Sequence, residues 1–357
     1  MYYSQYSLLI NVSYLSIAIL FMLDLYENRT LIFRNYIYLS FVFLLCCIFS
    51  IIISHDVSYA MSQVILLLKI SLPSYLLLNT LRNKELTSFT VYMLALSALL
   101  YSILYLQYVD FDNLGADRIA INDENGIENI NVVAFITSIS SIIFLTTFIE
   151  KKRKLDLCFF IVSILIVFLL GSRKSIFSVL IFFIVLFFNT SKENKKKLLL
   201  LLSVSIIAIL IALPADYFTF IANRSNVDFH TLDSSDMNRI RMIRSGLIYF
   251  QDNPIFGNGY YNFAVLYNQD FGSFVYAHNN FVELLADLGL IGFFLYYSLY
   301  LLIIKDLRKS NQSYIYVLSV ILVILFSSNF IVLLHNRYAW LILATSYALI
   351  QHSKQQI

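Results

Sequence analysis

The chain has 357 residues, of which 59% are apolar and only 13% charged, and its mean hydropathy is +0.76. Soluble globular domains carry about 25% charged residues, so this composition excludes a soluble enzyme and predicts a polytopic all-α membrane protein. The net charge of +3 says little by itself, because distribution matters more than total in a membrane protein.

Eleven apolar segments are long enough, or nearly so, to span a bilayer: roughly 7–23, 35–53, 59–79, 86–106, 131–149, 155–171, 175–189, 198–214, 280–304, 313–334 and 337–350. They divide the chain into an N-terminal bundle over 1–214 with about eight spans, a large loop over 215–279, and a C-terminal bundle over 280–357 with about three spans. The N-terminus has no Lys or Arg ahead of its first apolar run and no small-residue cleavage site after it, so that run is expected to remain as a span. Cys46, Cys47 and Cys158 fall in or beside spans without metal-ligand spacing and read as apolar filler, with no disulfide expected. Lys69 lies within the third span, where it is expected to snorkel.

Alternating the spans puts Arg29 and Arg34, Arg82 and Lys84, Lys151–Lys154, Lys192–Lys197, Lys305–Lys309 and Lys354 on one side, which the positive-inside rule makes cytoplasmic. The opposite side then receives Asp56, the acidic loop 107–130, the turn at Gly171–Ser175, the large loop and His335-Asn336-Arg337. The cytoplasmic loops hold mostly Lys, whereas the outer side holds Arg118, Arg173, Arg224, Arg239, Arg241, Arg244 and Arg337 against one lysine, Lys174. Arginine grips phosphate oxygens in a bidentate fork, so the outer face is a candidate phosphate site; pairing with outer aspartates is the alternative.

Within the large loop, residues 233–250 have a helical pattern. Asp233, Ser234, Ser235 and Asp236 can cap its start, and Ile240, Ile243, Leu247 and Phe250 form an apolar stripe. Arg241 and Arg244 share a face, with Arg239 on the other side; Pro254 ends the helix, and Gly257 and Gly259 permit turns closed to other residues.

Arg239 stands fifteen residues before Pro254, followed by Pro254-Ile255-Phe256-Gly257-Asn258-Gly259, then His278-Asn279 leading into Leu284-Leu285-Ala286-Asp287-Leu288-Gly289-Leu290-Ile291-Gly292. This series resembles the signature of the O-antigen polymerase and ligase superfamily. Ser172-Arg173 resembles the family's turn with a functional arginine, although Lys174 stands where glycine is more usual, and Asn129–Ala134 resembles its asparagine-rich helix entry.

The resemblance implies a membrane helical bundle of about eleven spans of the glycosyltransferase type, with a large periplasmic loop carrying short helices. It also implies glycan transfer from an undecaprenyl pyrophosphate donor at the periplasmic face of the bacterial inner membrane, without metal or other cofactor. The acceptor is a lipid-linked repeat unit for a polymerase or lipid A core for a ligase. Divergence at Lys174 and Asp287 favours the polymerase, with the ligase as the alternative and a lipid-linked sugar transporter as the alternative of another class. Membrane lipid is an expected partner, a chain-length regulator a candidate one, and nucleic acid is not expected.

Charge building on the departing pyrophosphate needs fixed cations, and Arg173 and Arg239 are the first choices by position and by match to the motif. An acceptor hydroxyl must lose its proton, and imidazole suits that at neutral pH. His278 therefore stands as general base or pyrophosphate ligand, with Glu283 as the other candidate base. Arg241, Arg244, Lys174, Asn279 and Glu283 complete the candidate substrate-binding set, Asn279 to position His278 or a substrate hydroxyl. Asp287, one turn after Glu283, reads as favoured by the helix dipole. His55, His230, His335 and His352 show no metal-ligand spacing and receive no role.

Overall fold

The computed structural model describes residues 2–109, 129–189, 195–196, 199, 202–203, 234–307 and 314–354. Most of the eighth expected span, residues 110–128 of the acidic loop, Arg118, Arg224, His230 and the capping side chains of 233–236 lie outside the described residues. The described residues form twelve α-helices and no strand: α1 (Tyr2–Asn28), α2 (Arg34–Ser50), α3 (Val57–Thr80), α4 (Lys84–Tyr105), α5 (Ile130–Lys151), α6 (Lys154–Leu169), α7 (Arg173–Asn189), α8 (Ser234–Asp252), α9 (Asn262–Phe271), α10 (Asn280–Leu307), α11 (Tyr314–Ser327) and α12 (Arg337–Lys354).

Five helical stretches are long and apolar enough to cross a membrane: Arg34–Ile53, Val57–Thr80, Lys84–Tyr108, Ile130–Lys151 and Asn280–Leu307. α6 and α7, with 16 and 17 residues, are shorter than a typical span of about 20. The protein is therefore a multi-pass helical membrane protein, and five of the eleven expected spans coincide with helices both long and apolar enough to cross among the described residues.

α5 is the most enclosed of the five, packed by α4, α6, α7 and α11. Its middle reads Thr137-Ser138-Ile139-Ser140-Ser141, and small residues of this kind let neighbouring helices approach closely. Each hydroxyl is satisfied inside its own helix: Thr137 donates to the Val133 carbonyl at 2.7 Å, Ser138 to Phe135 at 2.7 Å, Ser140 to Ile136 at 3.1 Å and Ser141 to Ser138 at 2.7 Å. α10 packs on α2 and α8, and α12 reaches α3, α4 and α10, so one continuous core joins both halves of the chain. Lys69 is exposed on the outside of the bundle, as a snorkelling side chain requires.

At one end of the bundle lie the α2–α3 turn, the starts of α5, α7, α10 and α12, and the helices α8 and α9. Polar caps mark these starts. Asp56 accepts from the Tyr59 N–H at 2.8 Å, Asn129 from Asn131 at 2.9 Å and Asn336 from Ala339 at 2.9 Å. At the other end Arg82 grips Asp24 (Nη2 to Oδ2, 2.7 Å) and the Thr30 carbonyl (2.8 Å), and Asn79 donates to the same carboxylate at 2.6 Å.

Two expectations are corrected. The apolar pattern predicts a tenth span through residue 334, but α11 ends at Ser327, and the chain then runs irregularly to α12 apart from a short 3-10 turn at Leu333–His335. Asn280 makes this break tenable: its N–H donates to the Ser328 carbonyl at 2.7 Å and its side-chain oxygen accepts from the Leu334 N–H at 3.0 Å. The apolar stripe assigned to α8 also differs. Its buried face is Met242, Ser245, Gly246 and Tyr249, while Ile240 and Leu247 are exposed. Gly246 sets that choice, because the backbone there lies so close to Val282 and Phe263 that a methyl group would overlap Val282.

Candidate active site at one end of the bundle

The glycine-bearing turn and the Leu-Gly-Leu-Ile-Gly stretch, about thirty residues apart, clasp each other. α10 is broken at Gly289, whose φ of 62° and ψ of −163° are open essentially to glycine alone. The break frees two carbonyls before it and two N–H groups after it. Asn258 N–H donates to Ala286 at 3.0 Å and Gly259 N–H to Asp287 at 2.9 Å; Leu290 and Ile291 N–H donate to the Pro254 and Ile255 carbonyls at 2.9 and 3.2 Å. The Asn258 side chain adds bonds to the Tyr249 and Ala286 carbonyls at 2.8 and 2.9 Å. These backbone groups are thus used within the protein, and the turn is a structural joint that fixes α8 against α10.

Asp287 is part of the same joint, and its carboxylate serves another helix rather than its own dipole. It accepts from the Tyr261 N–H at 2.9 Å and the Phe263 N–H at 2.7 Å, capping α9, which starts from Tyr261 in the left-handed region. Tyr260 N–H donates to the Ser50 hydroxyl at 3.0 Å and Asn262 to the Ser54 hydroxyl at 2.6 Å, which ties the assembly to the α2–α3 turn.

On this frame His278 packs on Tyr276, and Arg239 lies near enough for its charge to act on the same ring. The His278 ring lies 4.1 Å from the Tyr276 ring, centroid to centroid, and His278 takes a left-handed φ of 53° that turns the chain into α10. Burial and the Glu283 carboxylate push the Tyr276 phenol up, while the Arg239 guanidinium pulls it down, so Arg239 and Glu283 both act on this ring. Arg241 instead stacks on Phe271, 5.8 Å from the ring centre, and Arg244 is exposed; neither joins the Tyr276 cluster by these contacts.

Asn279 caps α10, its oxygen accepting from the Phe281 and Val282 N–H groups at 3.0 and 3.1 Å, and its amide donates to the Asn329 carbonyl at 3.3 Å. It therefore sets the backbone that carries His278. The next residue, Phe330, receives Lys174: the ammonium is 3.4 Å from its carbonyl and 5.0 Å from its ring centre. Beside Lys174, Arg173 opens α7, and Ser172 donates to Asn131 at 3.2 Å. The Arg173–Lys174 turn and the His278–Asn279 turn thus abut the same 329–330 segment.

Glu283 is 2% exposed, and its Oε2 accepts from the Ala277 N–H at 2.8 Å, next to His278. Its Oε1 lies 3.9 Å from Nε2 of His335, a residue that belongs to no motif in the sequence. His335 belongs to the break after α11, with Nδ1 3.3 Å from the Tyr260 hydroxyl, and burial pushes its imidazole down to about 4. Tyr261, 4.7 Å from the His335 ring, and Tyr59, 5.6 Å from Tyr261, extend the cluster. No spacing in the sequence signals these three; the only hint is that His335 falls on the same expected side as the large loop. Among the described residues no group of three or more His, Cys, Asp and Glu side chains is arranged to hold a metal ion.

Residues 158–297 match the family described as O-antigen ligase, a stretch that contains Arg173, Lys174, Arg239, His278 and Glu283 and stops short of His335. A comparison with curated proteins finds no match. With the helical membrane architecture, this match supports an enzyme of glycosyltransferase type in lipopolysaccharide biosynthesis: residues 158–297 are similar to the O-antigen ligase family, in line with the resemblance its motifs carry.

Proposed function

We propose that the protein is a polysaccharide polymerase of the bacterial inner membrane. It transfers a glycan from undecaprenyl pyrophosphate to the terminal sugar of a lipid-linked repeat unit at the periplasmic face. The acceptor hydroxyl attacks the anomeric carbon of the donor, the bond from that carbon to the pyrophosphate oxygen breaks, and undecaprenyl pyrophosphate departs with the bonding electrons. Arg239 and Arg173 hold the charge that builds on the leaving oxygen, and Lys174 adds to the field from the same turn. His278 accepts the hydroxyl proton. Asn279 acts through the backbone, and Arg241 and Arg244 meet the lipid-linked substrate farther from the reacting bond.

The observation that carries this reading is the packing of His278 on Tyr276, a ring on which the charge of Arg239 also acts, beside a segment that receives the Arg173–Lys174 turn. The test is turnover of lipid-linked repeat units by purified protein in detergent. Wild type joins the units, while Arg239→Ala and His278→Ala each slow the reaction by roughly 10²–10³, the magnitude for loss of one preorganised donor. Wild-type rates in both variants would show the site to be elsewhere.

The matched family's own description favours a second reading, the ligase that passes the glycan to lipid A core. Deletion in the source cells separates the two. Loss of a polymerase leaves core with a single repeat unit; loss of a ligase leaves bare core and accumulated carrier-linked polymer.

A further inference from the structure

Beside the Tyr276 cluster lies a second group of side chains that the transfer step leaves unused. Tyr59, Tyr261 and Phe274 form a wall of rings, with Tyr59 5.6 Å from Tyr261 and 4.9 Å from Phe274, set edge to face. Tyr59 and Tyr261 are half-buried, and Phe274 is 51% exposed, so ring surface faces the solvent side. The wall continues into His335, whose ring is 4.7 Å from Tyr261. Glu283 lies close enough for its charge to act on both Tyr261 and Tyr276, which joins this wall to the Arg239 and His278 half of the site.

The polar atoms at the foot of the wall are unevenly satisfied. Nε2 of His335 is buried and has no hydrogen-bond partner, and the same holds for Oδ1 of Asn262. A buried polar atom left this way destabilises the free protein, and a ligand hydroxyl that supplies the partner removes that penalty. In the tautomer in which Nδ1 accepts from the Tyr260 hydroxyl, Nε2 carries the proton and can donate, while a Glu283 carboxyl oxygen accepts. The two atoms are 3.9 Å apart, too far to bond each other. One hydroxyl oxygen placed about 2.8 Å from each accepts from the imidazole and donates to the carboxylate at once. A flat apolar wall beside a few convergent polar groups is how a site holds a ring that has C–H faces and hydroxyl edges.

We propose that Tyr59, Tyr261, Phe274, His335 and Glu283 form the sugar subsite, holding a pyranose of the lipid-linked glycan with its ring against Tyr261 and one hydroxyl between His335 and Glu283. This rests on the functional reading above and divides the site into a phosphate half, around Arg239 and His278, and a sugar half. Tyr261 and His335 then act on glycan recognition rather than on the leaving group.

The test is equilibrium binding of two probes to the full-length protein in detergent: lipid-linked repeat units extracted from the source cells, and undecaprenyl pyrophosphate without sugar. Wild type is expected to bind the first more tightly. Tyr261→Ala and His335→Gln weaken the glycan-bearing probe at least tenfold and the bare one by less than twofold; Tyr261→Phe stays within threefold of wild type on both. Phe274→Ala, at an exposed position where folding is least at stake, weakens the glycan-bearing probe alone. Arg239→Ala weakens both probes. The subsite is overturned if wild type binds the two probes equally, or if Tyr261→Ala, His335→Gln and Phe274→Ala weaken both alike or neither. If wild type binds neither probe, or if Arg239→Ala binds both as wild type does, the functional reading itself fails.

Discussion

The joint between the 254–259 turn and the kink of α10 makes a sharp prediction for Gly289→Ala. At φ 62° and ψ −163° an alanine carries a backbone strain of about 1–3 kcal/mol. Its new methyl group would also overlap the Ile255 carbonyl and the Gly257 nitrogen, both backbone atoms that cannot swing aside. The two segments must separate, weakening four hydrogen bonds of about 0.5–1.5 kcal/mol each. If all four bonds are lost, these effects together amount to roughly 3–9 kcal/mol. The matched control is Gly272→Ala: that glycine also has positive φ, 68°, but nothing lies within 4 Å of an added methyl group, so only the strain of about 1–2 kcal/mol applies. Thermal unfolding in detergent is the assay, followed through the single tryptophan, Trp340, which is 1% exposed and donates to the Leu334 carbonyl at 2.9 Å. Gly289→Ala should lose several times more stability than Gly272→Ala, and activity with it. Equal losses in the two variants would refute the idea that backbone contact at the kink holds α8 in place.

Asn280→Leu leaves the Leu334 N–H and the Tyr297 hydroxyl without their partners, at about 1–3 kcal/mol each, and should shift Trp340 emission to the red; unchanged emission and melting would contradict the role given to Asn280. Asp287→Asn keeps the shape but removes the carboxylate that caps α9, so limited proteolysis near 262–271 should speed up, whereas wild-type resistance counts against the cap. His335 has a depressed folded pKa, so the unfolded chain takes up a proton at higher pH than the folded protein does. Its contribution is complete above about pH 6.5 and is lost as pH falls toward 4; His335→Gln should flatten the stability profile across that window, and an unchanged slope would exclude it as the source.

Composition and the apolar periodicity were enough to give a helical membrane bundle, because lipid demands internally bonded helices. The end of α11 was not legible: Ser327-Ser328 interrupts no apolar pattern, and the break is stabilised by Asn280, nearly fifty residues earlier in the chain. The α8 stripe misled for a similar reason. Apolar spacing gave Ile240 and Leu247 a core role, but the close approach at Gly246 chose the Met242 and Tyr249 face. In the site, the motif residue His278 packs on Tyr276, on which the charge of Arg239 also acts, while Gly257, Gly289 and Asp287, read first as turn and dipole residues, hold the frame. His335 carried no signal because its partners, Tyr260 and Glu283, are distant in sequence and follow no fixed spacing.

The central claim is that glycan transfer takes place beside Tyr276, within reach of Arg239, His278 and the Arg173–Lys174 turn. The most direct measurement is a cryo-EM structure of the protein with undecaprenyl pyrophosphate bound. Pyrophosphate density in reach of Arg239, Arg173 and His278 is the predicted result. Density at the opposite end of the bundle, beside Arg34 and Arg82, would contradict it.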